Sequence, residues 1–127
     1  MRAKTKKITG WVLTILVIVF LLFDSIGKII GIDESVKTTI ELGYPENTIV
    51  VIGIILLIIT ILYAVPRTSV IGLILMTAYF GGAVATHVRV ESPLFSHTLF
   101  PVYFALMAWA GLALRNKRLF QFLTHKI

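Results

Sequence analysis

The chain has 127 residues, 57% of them hydrophobic and 14% charged, with a mean hydropathy of +0.94. This is too apolar for a water-soluble domain of such size and excludes a soluble enzyme and a disordered chain. Twelve Lys and Arg oppose six Asp and Glu for a formal charge of +6, and cysteine is absent. The basic excess suits nucleic acid or an anionic membrane surface until the charges are located. Without cysteine this chain builds no disulfide, thiolate metal site or dithiol centre.

Four apolar stretches, 8–30, 48–65, 68–86 and 94–114, each come near the roughly 20 residues that carry a helix across ~30 Å of hydrocarbon. They exceed the length of core strands and lack sustained alternation. The expected fold class is therefore all-α, an integral membrane four-helix bundle forming a single transmembrane domain over 1–127.

The first stretch follows Lys4, Lys6 and Lys7 and runs through Phe23 into Asp24, Ser25, Ile26, Gly27 and Lys28. No small-x-small cleavage pattern interrupts it, so it reads as a membrane helix and not as a cleaved signal. Asp24 and Lys28 stand four apart, acid before base, the order that favours a helical ion pair. Counted from Ile8 at ~1.5 Å per residue, Asp24 lies about 24 Å into a ~30 Å core, in the outer leaflet. The following segment carries Ile32, Val36 and Ile40 at four-residue spacing, Asp33 and Glu34 at its start and Gly43 at its end. It predicts a short amphipathic helix over about 33–42, either a lid in the interface or a surface helix filling a loop.

The second and third stretches carry no charge and are joined by Val65, Pro66, Arg67 and Thr68. That connection permits only an antiparallel hairpin, with Pro66 ending one helix and Thr68 or Ser69 capping the next. Thr77, Gly81 and Ala85 recur every four residues with Ala78 and Gly82 beside them, a small-residue face that admits a neighbouring backbone. The expected neighbour is the fourth helix, through Ala105, Ala108 and Gly111, ahead of a second copy of the chain. His87 and Arg89 close the third helix, Glu91 follows, and the fourth opens with His97 and Pro101.

Orientation follows from the basic flanks. Arg2, Lys4, Lys6, Lys7, Arg67, Arg115, Lys117, Arg118 and Lys126 fall on one side. The other side holds Lys28, Lys37 and Arg89 together with all six acids. Both termini are expected in the cytoplasm, in a multi-pass protein of the bacterial inner membrane. The basic excess then reflects topology and contact with anionic lipid heads. No basic stripe with stacking aromatics appears, so no nucleic-acid partner is expected.

Asp24, Lys28, Tyr79, His87, Arg89 and His97 are the candidate ligand-binding residues. Charges near hydrocarbon are costly unless paired or able to reach water, which points to a polar, partly hydrated site in the outer leaflet. Tyr44, Tyr79, Tyr103 and Trp109 are candidates to line an apolar pocket beneath the charges. Asp24 and His87 could act as an acid/base pair. His87, His97, Asp24 and Glu91 show no tight metal-ligand spacing, so no metal is expected. A salt-bridge network that only locks helix ends together is the structural alternative.

The run Thr77-Ala78-Tyr79-Phe80-Gly81-Gly82-Ala83-Val84-Ala85-Thr86-His87-Val88-Arg89, with Pro93-Leu94-Phe95 and Pro101-Val102 after it, resembles the DoxX-like family of small bacterial membrane proteins. Phe23-Asp24 with Lys28, Leu42-Gly43-Tyr44-Pro45, Tyr63 with Pro66-Arg67-Thr68-Ser69, and Trp109-Ala110-Gly111-Leu112 ahead of Leu114-Arg115 are similar to the same pattern. The resemblance spans about Trp11 to Leu119. It implies a four-helix membrane fold without an agreed reaction. The wider family is associated with quinone-linked sulfur oxidation, oxidative or thiol stress complexes and assembly of other membrane proteins, and no catalytic residue carries over.

Two functions of different class remain open, and whether the protein is an enzyme stays undecided between them. One is a non-catalytic module binding an apolar small molecule or a partner membrane protein at the outer-leaflet site. The other is a quinone-linked membrane oxidoreductase component. No haem, flavin or iron-sulfur motif is present, so no cofactor is expected.

Overall fold

The computed structural model describes residues 2–125, so Lys126, counted above in the basic flank, lies outside the described residues. Six α-helices follow in order: α1 (Ala3–Ile30), α2 (Asp33–Glu41), α3 (Ile49–Ala64), α4 (Ser69–Arg89), α5 (Phe100–Arg115) and α6 (Lys117–Thr124). A 3₁₀ turn, Glu46–Thr48, leads into α3, and a π-helical turn, Leu94–Thr98, precedes α5. There is no strand among the described residues. Four segments, Ala3–Ile30, Glu46–Ala64, Ser69–Arg89 and Leu94–Arg115, are long and apolar enough to cross a membrane. The protein is an all-α, multi-pass integral membrane protein.

The spans pack as a ring in which α1 touches α3 and α5, and α4 closes the circuit between them. Each helix presents one stripe to the centre: Gly10, Thr14, Val17, Leu21 and Ser25 on α1, and Ile49, Gly53, Leu56, Thr60 and Tyr63 on α3. Such three- and four-residue steps keep a single face inward. Large apolar side chains such as Ile15, Val19, Ile54, Ile58, Ile71 and Leu106 remain exposed around the outside. In water that would drive aggregation; in a bilayer it is the lipid contact surface.

The closest backbone approaches are at Gly10, Gly53 and Gly72, which were not expected, and at Gly111, which meets α1 and not α4. A Cβ on Gly10 would lie 2.8 Å from the Gly111 carbonyl oxygen, and one on Gly72 would lie 2.3 Å from the Tyr63 nitrogen. Gly53 similarly faces the Ser25 carbonyl and the Lys28 Cβ. By contrast, a Cβ added to Gly81 or Gly82 would meet no atom within 4 Å, and Thr77, Ala78 and Ala85 are exposed. α5 is the neighbour of α4 as expected, but the expected close backbone approach at this small-residue face is corrected. Trp109 on α5 donates to Thr77 Oγ1 at 2.8 Å, and a groove lined by Thr77, Gly81, Ala105 and Trp109 runs between α4 and α5 along that face.

Helix ends also differ from the apolar runs. α1 begins at Ala3, before the expected Ile8, because lysines are good helix formers and nothing breaks the chain there. α4 continues past Thr86 to Arg89, which places His87 and Arg89 in a last turn where positive charge complements the helix dipole. The fourth span is interrupted: Thr98 and Leu99 donate five residues back, to the Pro93 and Leu94 carbonyls at 3.0 and 2.9 Å. Pro101 has no N–H and its ring crowds the carbonyl four residues earlier, so a regular helix cannot run through this point. α6 was not expected. Asn116 breaks from α5 and its side chain accepts from the Leu119 N–H, opening a new helix across the end of the bundle.

α2 forms close to its expected position, but Ile32 and Ile40 are exposed, 41% and 48%, and Thr39 is its buried residue. Ile32 and Ile40 thus face outward while Val36 is half-buried, consistent with a helix lying in the membrane interface. Gly31 and Gly43 bracket it with φ of +76° and +92°. These left-handed positions let the chain reverse sharply at both ends, which non-glycine residues rarely accommodate.

Candidate functional site

α1 and α4 lie across the ring from one another, and at the acid-bearing end a cavity of about 510 Å3 opens between them. Phe20, Phe100 and Phe104 form an apolar wall, with Phe20 and Phe104 stacked at 4.2 Å between ring centroids. Ile52 and Ile55 from α3 and Tyr79 and Phe80 from α4 complete the body. Toward the end of the bundle the lining turns polar, with Asp24, Lys28, Thr38, Thr39, Tyr44, Thr86 and His87. The site is amphiphilic along its length, apolar within the bundle and hydrogen-bonding at the interface, with a volume in the ~300–1,000 Å3 range of small-molecule sites.

Asp24 and Lys28 bond at 2.6 Å along α1, the one ion pair among the described residues. Their side chains keep 32% and 15% exposure respectively, so neither is free in water. Each neutralises the other, and together they leave a strong dipole on the cavity wall without net charge. Tyr44 and Thr86 meet hydroxyl to hydroxyl at 2.7 Å, joining the loop after α2 to α4. His87 Nδ1 lies 3.0 Å from Ser92 Oγ, which fixes the ring against the wall.

The candidate residues divide. Asp24, Lys28, Tyr79 and His87 all line the cavity. Arg89 does not; its Nη2 donates to the Leu42 carbonyl at 2.9 Å, and its guanidinium fills the space over Gly43 where a Cβ would stand. Arg89 therefore holds the end of α2 against α4. His97 also lies off the wall, exposed on the π-helical turn with Nδ1 2.7 Å from Ser96 Oγ and its ring 6.2 Å from that of His87. Among the described residues no group of three or more metal-ligating side chains converges.

Two of the four aromatic candidates belong elsewhere. Tyr103 donates to the Phe95 carbonyl at 3.0 Å, and Trp109 reaches Thr77 in a separate groove between α4 and α5. Helical rotation carries both away from the face on which Pro101 and Phe104 line the cavity. The threonines of α2, Thr86 and the phenylalanine wall went unrecognised in the sequence. Thr38 and Thr39 just before Leu42-Gly43 were a usable signal, polar side chains at the end of an interfacial helix. Phe20, Phe100 and Phe104 gave none, since aromatic residues at helical spacing are ordinary packing.

No curated protein and no solved structure matches the chain. The family comparison does: residues 12–111, from the middle of α1 to the last turns of α5, match the DoxX-like family description. That range contains every residue lining the cavity, and the chain belongs to the DoxX-like family.

Proposed function

We propose that this membrane protein is a non-catalytic binding module for an apolar small molecule with a compact polar head. The observation that carries this reading is the graded cavity: a phenylalanine and isoleucine body continuous with a head region of ion pair, hydroxyls and imidazole. A neutral head that accepts hydrogen bonds suits it best. Lys28 has N–H donors beyond the one it gives Asp24, while Thr86 donates to the Gly82 carbonyl and accepts from Tyr44, and the balanced charges of Asp24 and Lys28 give no net attraction to an ion. A quinone belongs to this ligand class, with its ring against Phe20 and Phe104 and its carbonyls at the polar end. As an oxidoreductase component the protein would need a redox partner. Basic flanks at the other end support placing both termini in the cytoplasm and the cavity in the outer leaflet of the inner membrane.

Extraction of the purified protein followed by mass spectrometry of the lipids tests the proposal. One neutral amphiphile should be retained at about one per chain and lost in Ala83→Trp, which fills the cavity without removing a polar group. Bulk lipid in the same proportions from both proteins would refute the binding function. A retained quinone whose redox state changes in a manner dependent on Asp24 would favour the oxidoreductase reading.

A further inference from the structure

The opposite end of the bundle carries a charge that no ion pair among the described residues neutralises. Arg115, last residue of α5, donates through Nε to Thr14 Oγ1 at 3.0 Å and stacks with its guanidinium carbon 4.3 Å from the Trp11 ring. Its Nη2 is shielded from water and has no hydrogen-bond partner among the described residues. No ion pair forms there, because Asp24–Lys28 at the far end is the one pair among the described residues. The Tyr63 ring lies 5.9 Å from the guanidinium carbon on the inner side, and because Arg115 as a whole is only half-buried, an anion can offset this cation at the outer edge of the guanidinium, leaving Nη2 enclosed. The contact of Gly10 with Gly111 fixes the α1 and α5 backbones beside it: a Cβ on Gly10 would stand 2.9 Å from the Arg115 nitrogen.

The surroundings are complementary to a lipid. α6 lays Leu119 on the core and Phe120 beneath Lys6, whose Nζ is 3.4 Å from the ring centroid. Phe122 and Leu123 remain 65% and 48% exposed, and Trp11 presents its outer face at the same end. Lys4, Lys7, Lys117 and Arg118 are exposed around them, while every acid in the sequence falls in the segments of the opposite end. An interfacial helix with apolar side chains and unopposed basic ones matches the acyl boundary and head-group layer of an anionic leaflet.

We propose that α1, α5 and α6 form a site for an anionic phospholipid, its phosphodiester at Arg115, its head group facing Lys117 and Arg118, and its acyl chains along Trp11, Phe122 and Leu123. A zwitterionic lipid would bring its own cation into this positive field and bind less well. Free phosphate would lack the apolar contact.

The delipidated full chain in a neutral maltoside detergent provides the test. Thermal unfolding is followed with added dioleoylphosphatidylglycerol, dioleoylphosphatidylcholine or inorganic phosphate, and native mass spectrometry counts retained lipid. Phosphatidylglycerol should raise Tm, with the other two having little effect. Arg115→Gln should weaken its binding roughly fivefold or more, and Lys117→Gln with Arg118→Gln, at exposed positions, roughly fivefold for each charge removed. If Arg115→Gln does not fold, the double variant decides. Equal responses to the two lipids, full reproduction of the shift by phosphate, or undiminished lipid selectivity in the double variant would overturn the site.

Discussion

Removing one member of the Asp24–Lys28 pair should harm the protein more than removing both. The Lys28 stem lies against α3, where a Cβ on Gly53 would be 2.9 Å from the Lys28 Cβ, so the side chain cannot simply swing into lipid or water. Asp24→Asn leaves that ammonium without its carboxylate at 15% exposure. Breaking a fully buried pair costs ~3–5 kcal/mol, and partial hydration here reduces the expectation to about 2–3 kcal/mol. Lys28→Met leaves the more exposed Asp24 carboxylate, for which a loss of about 1–2 kcal/mol follows from the same reasoning. The double variant, with no charge left, should lose only about 1 kcal/mol, so the coupling comes to roughly 2–4 kcal/mol. An exposed helical pair gives about 0.3–0.5 kcal/mol, and that gap makes the cycle decisive. Reversible unfolding in mixed dodecyl sulfate and maltoside micelles supplies all four free energies. Losses that add to within about 0.5 kcal/mol would refute the claim that the pair is shielded and mutually dependent.

Other substitutions test the rest of the architecture. Gly111→Ala brings a Cβ to 2.7 Å from Thr14 Oγ1 and 3.0 Å from the Thr14 nitrogen, so about 1–3 kcal/mol of stability should be lost in the same unfolding assay. Gly81→Ala meets no atom within 4 Å and should be neutral or stabilise by up to about 1 kcal/mol; the reverse ranking would reject the observed seam. Arg89→Ala removes the bond to the Leu42 carbonyl, and amide hydrogen exchange in 33–44 should accelerate roughly fivefold or more while the spans keep their protection. Unchanged exchange would show that Arg89 does not restrain α2. Thr86→Val deletes the hydroxyl shared with Tyr44 and should lower retention of the co-purifying amphiphile without altering the helical circular-dichroism signal. Full retention would remove this hydroxyl pair from the binding site.

Span number, helical class and family were legible because each is local or nearly so. Hydrocarbon thickness sets a length, and the residues within that length determine whether a helix crosses. The Asp24–Lys28 contact was equally legible, since four-residue spacing on one helix brings side chains together whatever else the chain does. The boundaries were less so: the π-helical turn before α5 and the separate helix after Asn116 depend on where individual N–H groups find acceptors.

Helix rotation and neighbour choice could be decided only in three dimensions. Small residues at Gly81 and Ala85 looked suited to a close seam, yet contact occurs at Gly10, Gly111, Gly53 and Gly72 because those faces meet when the ring closes. The same closure brings Asp24, Lys28, Tyr79 and His87 to one cavity, turns Arg89 to the Leu42 carbonyl and leaves His97 outside. A side chain's distance along a helix can be counted from sequence, but its direction around the bundle depends on packing among all four spans. The sequence by itself thus determined how deep each polar group lies, and the tertiary structure decided which of them face one another.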